Sequence, residues 1–115
     1  MPGISVHAVD VARGMPAHGL KVEIFALEPQ RRLIAEGRLS QAGVLDHAAS
    51  RERLAAGGYE AAFHAGAYFE AAGVAQSAPP FLDVVLFRFN IADPAQHYHL
   101  PMKLTPWGFS LFRGS

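Results

Sequence analysis

The stretch His97-Tyr98-His99 sets two imidazoles two positions apart, and Lys103 follows downstream. Side chains alternate between the faces of an extended strand. One face then carries His97, His99, Pro101, Lys103 and Thr105, and the other Tyr98, Leu100, Met102 and Leu104. The second set is a core face; the first presents two imidazoles and an ammonium. His7, within "ISVHAVDV", offers a third imidazole on the less regular face of its segment. Three readings are open. His-x-His with a distant His is a tri-histidine zinc pattern. Neutral imidazoles near pH 7 can instead activate water as general bases. The third reading is exposed or hydrogen-bonded histidines with no chemical task. His18, His47 and His64 join no constellation. Arg31 and Arg32 read as a solvated strand end, Asp10 and Arg13 as a local pair at the first turn, and Trp107 as a packing residue.

The elements that must position these groups are short and punctuated by Gly and Pro. "ISVHAVDV" is β-prone, with Ile4, Val6 and Ala8 on one face and Ser5, His7, Val9 and Val11 on the other. "RGMPAHG" is a loop with three breakers. "LKVEIFAL" alternates cleanly, and "RRLIAEGRL" reads as a third strand. Residues 45–56 have a mixed pattern after a turn at Gly43. "YEAAFHA" is a strand ended by Gly66, and "AYFEAAG" a short helix stopped by Gly73. "FLDVVLFRFNI", rich in Val and Phe, is the strongest strand. "HYHLPMKLT" and "FSLFR" follow, separated by a "PWG" turn. Pro101 within a strand pattern calls for an edge or bulge position. Seven or eight such strands with one short helix predict an all-β sandwich.

The bulk numbers fit that reading. The 115 residues suit one domain, 1–115, with a real core. Lys+Arg and Asp+Glu each number 10, so no basic surplus points to nucleic acid. A half-hydrophobic, charge-balanced chain is prone to self-association. There is no cysteine, hence no disulfide framework or thiolate chemistry. The opening "MPGISVHAVD" lacks the pattern of a signal peptide, and no apolar run approaches about 20 residues. The expectation is a cytoplasmic protein without membrane spans.

An ordered series of motifs is identified with a known family. "SVHAVDVARGMPAHGLKVEIF", "GGYEAAFHAGAYF", "PPFLDVVLFRFNIADPAQHYHLP" and "WGFSLFRGS" resemble, in order, the segments of the transthyretin-related 5-hydroxyisourate hydrolases, from about residue 4 to 115. The resemblance implies a transthyretin-like sandwich of two four-stranded sheets with one short helix. It implies a homotetramer, a dimer of dimers, with sites in channels between the paired dimers. It implies ring-opening hydrolysis of 5-hydroxyisourate, the product of urate oxidation, with no metal or organic cofactor. The family's catalytic histidines fall on His7 and His99, with His97 a weaker candidate. Its terminal signature falls on Phe112, Arg113, Gly114 and Ser115, where Arg113 and Ser115 would close the substrate pocket.

Departures from the family pattern bear on the substrate. The family turn Thr-Asn-x-Asp-Gly-Arg carries an arginine counted among the catalytic residues. Here "LSQAGV" stands in its place, with Ala42 for the aspartate and Val44 for the arginine. The tail Tyr-Ser-Thr-Tyr becomes "FSLF", so the channel-side tyrosine is Phe112. Lys103 stands where the family is apolar: either its charge replaces the one missing at Val44, or it extends to solvent and the site has simply lost a charge. The loss of hydroxyls predicts a preference for a less polar or N-methylated analogue. The alternative is a small-molecule carrier that has lost hydrolysis with the arginine.

Overall fold

A computed structural model describes residues 2–114. Eight strands form two sheets. In chain order they are β1 (Gly3–Asp10), β2 (Met15–Pro16), β3 (Lys21–Ala26), β4 (Arg32–Arg38), β5 (Gly57–Phe63), β6 (Val85–Ile91), β7 (His97–Thr105) and β8 (Gly108–Leu111). One sheet runs β2-β1-β7-β8 and the other β4-β3-β5-β6. The helix α1 (Ala65–Ala71) follows β5, and a 3-10 turn covers Ala48–Ser50. The expected all-β sandwich of two four-stranded sheets with one short helix is therefore the architecture found.

Period-two patterning builds the core. Ile4, Val6 and Ala8 of β1 and Tyr98, Leu100, Met102 and Leu104 of β7 are buried. They belong to one apolar cluster with Val22 and Ile24 of β3 and Tyr59, Ala61 and Phe63 of β5. Fully burying each large side chain contributes about 1.5–3 kcal/mol. These strands therefore hold their register firmly, because a one-residue slip would turn every apolar side chain to solvent.

β1 and β7 run parallel in the middle of the first sheet, pairing Ser5 with His99, His7 with Pro101 and Val9 with Lys103. This ladder joins the two ends of the chain and determines which outward side chains become neighbours. The edge position expected for Pro101 is corrected: β7 is an interior strand. Pro101 is tolerated because the β8 ladder ends at Met102–Leu111, and only the isolated bridge His99–Gly114 lies beyond it. Its missing N–H thus falls in a gap in the ladder.

Two boundaries also differ from the sequence pattern. The helix begins at Ala65, so Gly66 lies in its first turn rather than ending β5 there. β6 begins at Val85, leaving residues 81–84 outside it. The mixed 45–56 segment buries Leu45 and Ala49, and His47 caps its short turn by accepting from the Ala49 N–H at 3.1 Å.

Asp10 ends β1 fully buried. It accepts from the Arg13 backbone at 3.0 Å, from Arg13 Nε at 2.8 Å and from the Tyr68 hydroxyl at 2.8 Å. The local Asp10–Arg13 pair is therefore also the clasp that ties α1 to the first sheet. Arg31 lies exposed just before β4, as expected of a solvated strand end, and it also stacks on Phe25 at 3.6 Å and donates to the buried Glu60 at 3.1 Å. Trp107, expected as a packing residue beside its turn, is largely exposed and has Phe81 as its ring neighbour at 6.1 Å.

Candidate active site

Alternation on two paired strands gathers the chemistry on the outer face of the first sheet. From β1 come Ser5, His7 and Val9; from β7 come His97, His99, Pro101 and Lys103. The third row is supplied by the turn at Gly43, which bridges Val44 to His7. That turn needs glycine: Gly43 has φ +78°, and a Cβ there would stand 2.6 Å from the Ala8 carbonyl oxygen. Ala8 N–H donates to the Gly43 carbonyl at 2.9 Å, fixing the turn against β1. Val44 is thus set directly beside His7.

Ser5 is the centre of the polar group. Its Oγ lies 2.7 Å from His97 Nε2 and 2.7 Å from His99 Nδ1. His97 Nδ1 lies 3.2 Å from the Pro2 carbonyl oxygen. Burial pushes the His99 imidazole below its ordinary pKa of 6.5, and the nearby rings of His97 and His7 push it the same way. All three causes disfavour a cation, so His99 stays neutral at neutral pH. The second ring nitrogen of His99, Nε2, has no hydrogen-bond partner among the described residues, and it can accept a proton when the ring hydrogen sits on Nδ1.

The C-terminal segment closes over His99. Gly114 N–H donates to the His99 carbonyl at 2.7 Å, and a Cβ at Gly114 would meet His99 Cδ2 at 2.9 Å. Only glycine allows the tail to lie this close to the ring. Arg113 points elsewhere: its guanidinium sits 4.0 Å over the Tyr98 ring and donates to Gln96 Oε1 at 3.0 Å and the His97 carbonyl at 3.1 Å. These contacts fasten the tail to the start of β7. Phe112 is exposed, and Ser115 lies outside the described residues.

Lys103 is exposed and has no hydrogen-bond or ion-pair partner among the described residues. It pairs with Val9 on one side and Ser110 on the other, two positions along β7 from the Pro101 that faces His7. An open depression of about 380 Å³ flanks this face, with Ser5, Val44, Leu45 and Ser50 among its lining. A hollow of about 410 Å³ between Arg13, Lys21, Arg38 and His64 contains none of the grouped histidines. His64 there is bound to Glu23 at 2.6 Å.

The tri-histidine arrangement does not converge on one point. His97 and His99 both turn a ring nitrogen onto Ser5, and among the described residues no three metal-ligating side chains gather. What the face holds is an imidazole pair, His7 and His99, with a hydroxyl-linked third ring behind. That set suits proton transfer to and from a bound reactant. Ser5 was legible in the sequence only as an alternating residue of its strand. Its role depends on a pairing with residues more than 90 positions away, for which local patterning carries no signal.

Known proteins are similar to the chain over nearly its whole length. A family model described as HIUase/Transthyretin family matches residues 4–114. A Rhizobium meliloti (strain 1021) protein named 5-hydroxyisourate hydrolase 2 is 44% identical over 114 residues, covering 97% of this chain and 95% of its own. The structure of Klebsiella pneumoniae 5-hydroxyisourate hydrolase superposes with a TM-score of 0.82 at 30% identity, covering 100% of both chains. A crystal structure of (S)-allantoin synthase gives 0.88 at 34% identity; it covers 98% of this chain, which spans 43% of that longer one. Sheet order and a match over nearly the whole length lead to one assignment: the chain belongs to the HIUase/Transthyretin family.

Proposed function

We propose that this protein hydrolyses 5-hydroxyisourate, or a close and less polar analogue, by opening a cyclic amide in urate catabolism. The observation that carries the reading is a neutral His99 held beside His7 on the outer face of the first sheet, with one ring nitrogen engaged by Ser5. Water attacks the cyclic amide carbonyl, and its proton passes to the free nitrogen of His99. His7 orients that water from the neighbouring strand. The carbon–nitrogen bond then breaks, and the departing nitrogen takes up the proton from the His99 imidazolium, which restores the base. General-base assistance of this kind contributes about 10²–10⁴-fold. No step calls on a metal or an organic cofactor.

Lys103 is assigned the positive charge that Val44 does not supply, and Phe112 an apolar wall that favours N-methylated or otherwise less polar rings. Arg113 and Ser115 belong to the closing tail. We place the sites in the channels of a homotetramer. Two features support assembly. The edge strands β8 and β6 carry exposed Phe109 and Leu86, and exposed Val11, Met15, Val44 and Phe112 add apolar surface. An open face of this kind becomes an enclosed pocket only when a second copy covers it. A cytoplasmic setting completes the proposal, and fractionation of cells carrying the tagged protein tests it.

The direct test generates 5-hydroxyisourate in situ with urate oxidase and follows its ultraviolet decay. The protein accelerates that decay beyond the spontaneous rate, and competition with N-methylated analogues ranks the substrates. Saturable binding of the same compounds without acceleration would instead mark a carrier.

A further inference from the structure

We infer that Ser5 and His97 are positioning residues that hold His99 in one tautomer, with the proton on Nδ1 and the lone pair on Nε2. This rests on the reading of His99 as the base, and it follows from counting hydrogens along the chain of contacts. The Pro2 carbonyl has no hydrogen to give, so His97 Nδ1, 3.2 Å away, is the donor. A neutral imidazole carries one N–H, which leaves a lone pair on His97 Nε2. Ser5 Oγ, 2.7 Å from that nitrogen, therefore donates its single hydrogen to it. Only lone pairs then remain on Ser5 for His99 Nδ1, also at 2.7 Å, so this nitrogen must carry the hydrogen. His99 Nε2 is left as the acceptor, the form a general base requires. The opposite polarity needs both ring protons on His97.

The backbone enforces the arrangement. Gly3 pairs with His97 and Ser5 with His99 in the parallel ladder, so the hydroxyl sits level with the ring it orients. The tail bears on the opposite side, where Gly114 leaves no room for a Cβ against His99 Cδ2. When His99 Nε2 takes a proton from water, the Nδ1–H bond to Ser5 becomes charge-assisted and strengthens. Ser5 and His97 keep their own protons throughout. They act by aligned dipoles and geometry rather than by accepting the proton of the attacking water.

Long-range proton–nitrogen correlation spectra of the full-length ¹⁵N-labelled protein read the tautomer without any substrate. In the wild type, His99 shows a protonated Nδ1 and an unprotonated Nε2 near neutral pH. Ser5→Ala shifts His99 toward the Nε2–H form and lowers kcat about tenfold or more with KM little changed. Ser5→Thr, which keeps the hydroxyl, restores both. A wild-type His99 protonated on Nε2, or a Ser5→Ala protein with wild-type tautomer and kcat, would overturn the relay. Either result leaves the base assignment to be judged by His99→Ala. Conversely, a fully active His99→Ala protein with the expected wild-type tautomer would remove the base assignment and leave the hydrogen-bond order intact.

Discussion

Val44 is bridged to His7 across the open side of β1, so the turn residue meets a candidate catalytic histidine through the backbone itself. A side chain placed there projects over the same face as His7 and His99. This makes the charge balance of the face testable by substitution. Losing a group that stabilises developing charge costs about 10²–10³-fold if nothing replaces it. If Lys103 replaces it, Lys103→Ala lowers kcat/KM by a factor in that range. Val44→Arg then does little in the wild type and restores much of the loss in the Lys103→Ala background. Steady-state kinetics on the four proteins of this double-mutant cycle gives the coupling. Unchanged turnover in Lys103→Ala sinks the compensation.

The pH profile follows from the state of His99. A base works unprotonated, and burial with two neighbouring imidazoles holds His99 below its ordinary 6.5. The acid limb of activity is therefore centred below pH 6.5, where His99 takes up a proton. The acid limb of kcat/KM against pH reports this for the free enzyme. A limb centred above 6.5 would contradict the environment described for the ring.

The clasp between β1 and α1 has its own acid signature. Burial works to raise the Asp10 pKa, but hydrogen bonds from Arg13 and Tyr68 outweigh it and hold the carboxyl below its ordinary 3.8. A depressed carboxylate stabilises the fold above its unfolded pKa, and the stabilisation is lost as pH falls through the folded one. Tyr68→Phe removes one donor to Asp10 and costs about 1 kcal/mol in urea unfolding at neutral pH. Acid unfolding of the variant starts at higher pH than in the wild type. Identical acid transitions would show that the hydroxyl contributes nothing to the clasp.

Much of the sandwich was legible because its strands obey period two. Leu20, Val22, Ile24 and Ala26 alternate with Lys21 and Glu23, and Tyr98, Leu100, Met102 and Leu104 alternate with the histidine face. Pro101 misled, since a proline constrains only its own N–H. Whether that group faces a ladder depends on where β8 stops. The 45–56 segment was opaque because it packs Leu45 and Ala49 through irregular backbone, which leaves no periodic trace. In the site, His7 and His99 stood out by residue type and resemblance. Ser5 became visible only once the register of β1 on β7 was known.

The turn that carries Val44 tests how far this face depends on backbone geometry. Gly43→Ala forces a side chain into a left-handed conformation 2.6 Å from the Ala8 carbonyl oxygen. A strained left-handed residue alone costs about 1–3 kcal/mol. Thermal or urea unfolding should show at least that loss, with lower activity as the turn moves away from His7. A variant as stable and as active as the wild type would mean that the turn can shift freely.

Assembly is tested at the sheet edges. Phe109→Glu on β8 and Leu86→Lys on β6 place charges where exposed apolar side chains now stand. Sedimentation velocity at fixed concentration should show the wild type as a tetramer and each variant as smaller species, with turnover lost in step. Variants that sediment as the wild type would move the interfaces away from these edges.

The most direct test of the account is the single-residue comparison at His99. With 5-hydroxyisourate generated in situ, the wild-type protein accelerates ultraviolet decay, and His99→Ala loses about 10²-fold or more of kcat while KM stays near its wild-type value. A His99→Ala protein that turns over substrate at the wild-type rate would contradict the claim that His99 is the base.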